Sequence, residues 1–162
     1  MTRVSTATLA LVALTALSAC GDNQDPSGAD ALFERIQGLD YRNTFAKAPG
    51  YETRLPSNTK HSDFSEVYIN DVVNDAITDA EPLPEWPIDS LIIKDGTEDD
   101  GTLELIAVME KRADGWYWAE YLDPNEPSGG AKFSGKPDLC IDCHQGAADV
   151  GNDFTQVLNL PK

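Results

Sequence analysis

Near its C-terminus the chain reads Cys140-Ile141-Asp142-Cys143-His144, and no other segment constrains the fold as much. A CxxCH sequence reads as the attachment site of a c-type haem, for a mechanical reason. Two thiols separated by two residues can each add to one vinyl group of the same porphyrin edge. The histidine that follows then lies under the iron as its proximal ligand. A haem in a chain of 162 residues takes up much of whatever core forms. Three other uses of these residues compete. Zinc needs four ligands, so Cys140, Cys143 and His144 would have to recruit His61 or a carboxylate. A thioredoxin-like pair opens a helix after a strand, whereas a proline-containing loop precedes Cys140. A disulfide across two residues is strained. The motif stands alone, so one covalent haem c is expected, on Cys140 and Cys143 with His144 at the iron.

The remaining cysteine belongs to the other end of the chain. Residues 1–20 read MTRVSTATLALVALTALSAC. Arg3 is a positive n-region, and Ala7 to Leu17 form an apolar stretch too short for an ordinary spanning helix. The stretch ends in Leu17-Ser18-Ala19-Cys20, which resembles the lipobox of bacterial lipoproteins. That resemblance implies cleavage before Cys20, a lipid on its thiol, and attachment to the periplasmic side of a bacterial membrane. Gly21, not an aspartate, stands second in the mature chain; by the same resemblance the outer membrane is then open as destination, and favoured. Residues 20–29 have the composition of a flexible tether, and a domain over 30–162 follows. Export also favours haem over the competing uses of CxxCH, since bacterial c-type haem is attached outside the cytoplasmic membrane.

Charge narrows the partners. The chain holds 28 Asp+Glu against 12 Lys+Arg, a formal charge of −16, so no basic stripe is available for nucleic acid. Removal of residues 1–19, which carry one Arg and no acid, makes the balance −17. A protein partner is therefore expected to be basic.

Along the domain, Asp30 can cap a short helix from Ala31 to about Gln37, stopped by Gly38. Residues 39–63 are rich in turn signals. Phe64 to Ile69 reads as a strand, and Asn70 to Ala80 has helical apolar spacing. Ser90 to Lys94 is a strand, followed by an acidic turn from Asp95-Gly96 to Asp100-Gly101. Leu103 to Lys111 and Trp116 to Leu122 form a hairpin around Ala113-Asp114-Gly115. Residues 123–138 read as a Pro/Gly-rich loop. The pattern predicts an α+β class: one antiparallel, sheet-rich haem domain with short flanking helices and a C-terminal CxxCH segment.

The group opposite His144 on the iron decides what such a domain does, and the mature chain offers only His61 and Met109 as strong ligands. His61, in Lys60-His61-Ser62-Asp63, reads as a solvent-facing loop histidine and is the candidate distal ligand. Met109, in Ile106-Ala107-Val108-Met109, reads as core. With neither bound, the iron is open to a small ligand. Strand alternation turns either Trp116, Trp118 and Glu120 or Tyr117 and Tyr121 inward. The run Glu98-Asp99-Asp100 lacks the ligand spacing of a calcium loop and reads as a solvated turn.

Several segments together resemble the cytochrome P-460 family, whose relatives include the beta-sheet form of cytochrome c prime. They are Asn70-Asp71 closing a strand, Trp86-Pro87 leading into Ser90-Leu91-Ile92-Ile93-Lys94, and Val108-Met109-Glu110-Lys111. Gly115-Trp116-Tyr117-Trp118-Ala119-Glu120 and the C-terminal CxxCH complete the set. The resemblance implies a sheet-rich subunit, often a homodimer, with a five-coordinate haem on the histidine of CxxCH. Some members oxidise hydroxylamine and carry a lysine cross-linked to the porphyrin; others bind nitric oxide or similar gases. Aligned on Asn70-Asp71, the cross-linking position falls near Asp75, which argues against the cross-link. Lys94, the nearest lysine in the strands, reads as a solvated strand end. The expectation is a periplasmic, lipid-anchored mono-haem c-type cytochrome binding a small gaseous or nitrogenous ligand. The alternatives are a six-coordinate electron carrier and a haem enzyme using hydroxylamine or peroxide.

Overall fold

The hairpin around Asp114-Gly115 is the centre of the architecture. Gly115 takes a φ of 109°, a conformation that favours glycine, and the chain reverses there with Arg112 and Gly115 in register. The computed structural model describes residues 24–57, 59–123 and 130–162. Cys20, the export signal and the first part of the tether lie outside them.

Among the described residues, seven strands form one antiparallel sheet flanked by four helices, an α+β arrangement. In chain order these are α1 (Pro26–Gly38), α2 (Tyr41–Thr44), β1 (Ala46–Lys47), β2 (Leu55–Pro56), β3 (Phe64–Ile69) and α3 (Asp71–Asp79). They are followed by β4 (Leu91–Thr97), β5 (Leu103–Arg112), β6 (Gly115–Tyr121), β7 (Ala131–Gly135) and α4 (Asp138–Asp149). The sheet order is β1-β3-β4-β5-β6-β7, with β2 also on β3. The strand read from Phe64 to Ile69 stands as expected, and Asn70 caps α3 by accepting from Val73 N at 3.3 Å.

Four local readings need correction. Helix α1 begins at Pro26 rather than Ala31: Asp25 caps it, proline occupies its first turn, and Ala29 is fully buried. The tether composition of residues 20–29 therefore gives way to helix from Pro26. The acidic turn starts later than expected, because β4 runs on to Thr97 and only Glu98 to Thr102 closes the reversal. Gly96 belongs to the strand, in register with Ser65 and Leu105, and a Cβ there would come within 3.0 Å of Leu105 and Ser62 side-chain atoms, so the position requires glycine. The presumed loop of 123–138 contains the edge strand β7. The CxxCH segment lies in α4, a helix that directly follows that strand.

Alternation divides the sheet. Tyr68, Ile93, Val108, Ala119 and Tyr121 bury one face against Leu32, Phe33 and Ile36 of α1. The Tyr121 hydroxyl donates to the Ala29 carbonyl at 2.7 Å and Tyr117 to the Asp25 carbonyl at 2.8 Å, locking the helix down. The opposite face carries Val67, Ile69, Ile92, Trp116 and Trp118, and packs on Val73, Trp86, Leu158 and Leu160. Alternation thus turns Trp116, Trp118 and Glu120 toward α4 and the C-terminal segment, and Tyr117 and Tyr121 toward α1.

Candidate functional site

On the second face, inward residues of successive strands align in two transverse rows. Register sets one row as Ile69, Ile92, Met109, Trp118 and Gly135. The next is Val67, Lys94, Ala107, Glu120 and Phe133. Same-face residues on a strand stand about 7 Å apart, which is the spacing of the rows. Helix α4 and the 152–161 segment do not close down on both rows, and a cavity of about 480 Å³ remains between them and the sheet.

Cys140, Cys143 and His144 all line this cavity. They occupy positions i, i+3 and i+4 of α4 and so share one helix face. Cys140 is half-buried and Cys143 exposed at the rim. The His144 ring lies edge-on to Trp118, with centroids 4.6 Å apart. Its Nδ1 donates to the Phe154 carbonyl at 2.8 Å, which leaves Nε2 as the nitrogen with a lone pair to offer. Burial lowers the His144 pKa, against the Phe154 bond, which raises it, and the neighbouring His61 and Lys94 act in the same direction as burial.

The Phe154 carbonyl is held in place by a strained turn. Asp153 and Phe154 have φ of 46° and 66°, unusual for residues with side chains. Asp153 Oδ2 accepts from Trp86 N at 2.9 Å and Lys111 Nζ at 2.8 Å, while its carbonyl accepts from Trp116 Nε1 at 2.8 Å. Trp86 Nε1 donates to the Thr155 hydroxyl at 3.0 Å. Two tryptophans and a buried lysine thus position the one backbone oxygen that fixes the tautomer of His144.

His61 is not the solvent-facing histidine its polar neighbours imply. It lines the cavity, and its Nδ1 lies 2.8 Å from Glu120 Oε2. Glu120 is buried, and Lys132 Nζ comes to 4.0 Å of its other oxygen. A buried carboxylate needs a partner, and Glu120 on the inward side of a tryptophan-bearing strand was the available signal that His61 would turn in. Lys94 likewise is no solvated strand end. It sits mid-strand and lines the cavity, where burial pushes its pKa down to about 8. Its ammonium donates to Thr59 Oγ1 at 2.9 Å and Ser57 Oγ at 3.3 Å. Met109 packs with the core as expected and also forms part of the wall. Asp75 lies on α3 and is not among the lining residues.

Compared with protein-family models, with curated proteins and with solved structures, the chain matches none. The chemistry of the cavity therefore rests on its own residues. Among the described residues no group of three or more His, Cys, Asp or Glu side chains is placed to hold a metal ion by itself. The cysteine pair does lie near the start of a helix after a strand, contrary to the sequence reading. The surrounding sheet, however, is antiparallel among the described residues and lacks the βαβ context of a thioredoxin-like motif. What the helix presents is two thiols and one imidazole nitrogen, side by side, to a mostly apolar cavity.

Proposed function

We propose that the chain is a mono-haem c-type protein of the cytochrome P-460 kind, whose iron keeps an exchangeable position for a small ligand such as nitric oxide. One observation carries the proposal. Cys140, Cys143 and His144 share a face of α4 and open together on a cavity of about 480 Å³, with His144 Nδ1 committed to the Phe154 carbonyl. That volume lies within the roughly 300–1,000 Å³ typical of organic-ligand sites. The thiols would hold the porphyrin edge and His144 the iron, with Trp118 orienting the imidazole and Val67, Ile92 and Met109 excluding water. The bound group supplies an iron centre able to take up a diatomic ligand or one electron. Export to the periplasm, a lipid on Cys20, a homodimer and a basic redox partner belong to the same reading.

Lys94 favours a second reading. A lysine on the cavity wall, pushed toward its neutral amine, supports an enzyme with a lysine–porphyrin cross-link that oxidises hydroxylamine. His61 on the same wall would instead make an electron carrier if it closed the iron's sixth position. Expression with a c-type haem maturation system separates the three. Covalent haem lost on Cys140→Ala/Cys143→Ala is expected. A broad high-spin spectrum of the reduced protein that sharpens with carbon monoxide supports the open site. Sharp α and β bands would sink it in favour of the carrier. A red-shifted Soret band, lost in Lys94→Arg, would establish the cross-linked enzyme.

A further inference from the structure

The cavity has a polar end that an apolar diatomic gas does not require. Apart from the CxxCH residues, the titratable side chains that line the cavity are Lys60, His61, Lys94, Glu120 and Lys132, and one of these five is acidic. In a chain of −16 this is a local reversal of sign. Glu120 is already matched, by His61 at 2.8 Å and Lys132 at 4.0 Å. Lys94 is not: its hydrogen-bond partners are the hydroxyls of Thr59 and Ser57. Burial is what depresses its proton affinity, with no carboxylate among the described residues acting to restore it.

Backbone geometry turns these side chains into a recess. Lys94 on β4 and Glu120 on β6 both pair with Ala107 on the strand between them. Their backbones are therefore about 10 Å apart across a residue that has only a methyl group. Lys94 leaves the sheet on one side of Ala107 and Glu120, which holds His61, on the other, and Thr59 Oγ1 ties the two together by accepting from Lys94 Nζ at 2.9 Å and from His61 N at 3.3 Å. With Nδ1 turned to Glu120, His61 keeps Nε2 for a hydrogen bond of its own. The row lies one pleat, about 7 Å, from the row whose Trp118 meets His144.

We propose that this recess binds a small inorganic anion, with Lys94 supplying the countercharge and His61, held by Glu120, supplying a hydrogen bond. The inference rests on the haem reading and goes beyond it: besides an uncharged diatomic, the cavity admits an anion of the size of nitrite or azide. Glu120 is a positioning residue, acting through His61.

The test uses the haem-loaded protein, titrated in its ferric form with azide, nitrite and fluoride and followed by the Soret band. Lys94→Met keeps length and apolar contact while removing the charge. Azide and nitrite affinity is expected to fall by about tenfold or more. Carbon monoxide binding to the ferrous form should change by less than about twofold, since it carries no charge. Lys94→Arg should recover most of the loss. Thr59→Val, which removes the hydroxyl orienting the ammonium, gives a second and smaller decrease should Lys94→Met load poorly. Equal anion affinity in wild type and Lys94→Met overturns the proposal, and is the expected result if Lys94 instead pairs with the cofactor's own carboxylates. Tighter anion binding in His61→Ala also overturns it, because His61 would then be holding the iron position itself. Absence of covalent haem in the wild type would overturn the haem reading and this inference together. A loaded protein indifferent to Lys94 overturns this inference alone.

Discussion

Asp153→Asn tests whether the strained turn at the C-terminus is what holds His144. In the wild type, Asp153 Oδ2 bonds both Trp86 N and Lys111 Nζ. Lys111 is 5% exposed, and its other carboxylate partner, Glu85 at 2.8 Å, has a side chain 65% exposed. Breaking a buried ion pair from one side costs about 3–5 kcal/mol, while an exposed pair such as Lys111–Glu85 offsets roughly 0–1. Asparagine still offers an oxygen to Trp86 N and tolerates positive φ, so those contributions survive. Of the resulting range of about 2–5 kcal/mol, Asp153→Asn should show the lower end, about 2–3, because the amide oxygen keeps these contacts. Asp153→Ala should lose about 1 kcal/mol more, because it also leaves Trp86 N unpaired and places alanine at positive φ. For a domain of this size each kcal/mol moves the midpoint by roughly 4 °C, so thermal unfolding should fall by about 10 °C in the asparagine variant. A second readout looks at the site. A looser turn weakens the bond from His144 Nδ1 to the Phe154 carbonyl, makes the imidazole a poorer electron donor, and raises the midpoint potential of the haem-loaded protein. An Asp153→Asn protein within about 0.5 kcal/mol of wild type, with unchanged potential, would refute the argument that this turn carries the histidine.

Three further outcomes follow from the same geometry. Lys94 has a pKa of about 8 in the fold against 10.5 ordinarily, so the unfolded chain binds the extra proton between those values and stability rises with pH across that window. In the cofactor-free Cys140→Ala/Cys143→Ala chain, Lys94→Met should accordingly raise the unfolding midpoint below pH 8 and lose that advantage by pH 10.5, as pH-resolved thermal scans would show. Asp95→Asn removes the ionic acceptor of Tyr41 Oη at 2.5 Å and Arg42 Nε at 2.6 Å on the α1 face. Because Arg42 is partly exposed, the loss should be about 2–3 kcal/mol in urea unfolding, with the spectrum of the loaded protein unchanged. Association with a basic redox partner should slow steeply as ionic strength rises, measured by stopped-flow electron transfer, and a salt-independent rate would rule out charge as the recognition element.

How far the sequence could be read depended on whether local pattern and tertiary packing agreed. They agree at β3, β5 and β6, where β-branched and aromatic residues alternate and Asp114-Gly115 marks the reversal. They agree again at Asn70, whose side chain caps α3. They part at Asp95-Gly96, which has the composition of a turn. Packing of Leu105 and Ser62 against Gly96, and the buried bonds of Asp95 to Tyr41 and Arg42, extend β4 through both residues. That extension moves Lys94 from a strand end to mid-strand, and so from solvent into the cavity. Strand β7 and helix α4 were harder to see, since Ala131–Gly135 has few strand-favouring residues and Asp138–Asp149 a weak apolar stripe. The thiols and His144 were legible from spacing. The groups around them, Phe154 on His144 and Glu120 and Lys94 on the cavity wall, depend on register and on a long-range turn that no local pattern encodes.

Lys94 and Asp95 are neighbours on one strand, and their different fates bear on what the cavity is for. Alternation sends Asp95 to the α1 face, where it is 3% exposed and closed off by Tyr41 and Arg42. Glu110 on the same face is likewise closed, by Arg35 and Arg112. Buried ionic groups there are matched by opposite charge within the fold, which is the arrangement expected of a purely structural network. One residue away, Lys94 faces the cavity with the hydroxyls of Thr59 and Ser57 as its hydrogen-bond partners among the described residues, although the chain has more than two acidic side chains for every basic one. In so acidic a sequence, a carboxylate to neutralise Lys94 would be easy to come by. Among the described residues the one carboxylate on the cavity wall, Glu120, is engaged by His61 and Lys132, and this, together with the pairing on the α1 face, argues for a countercharge to Lys94 from what enters the cavity.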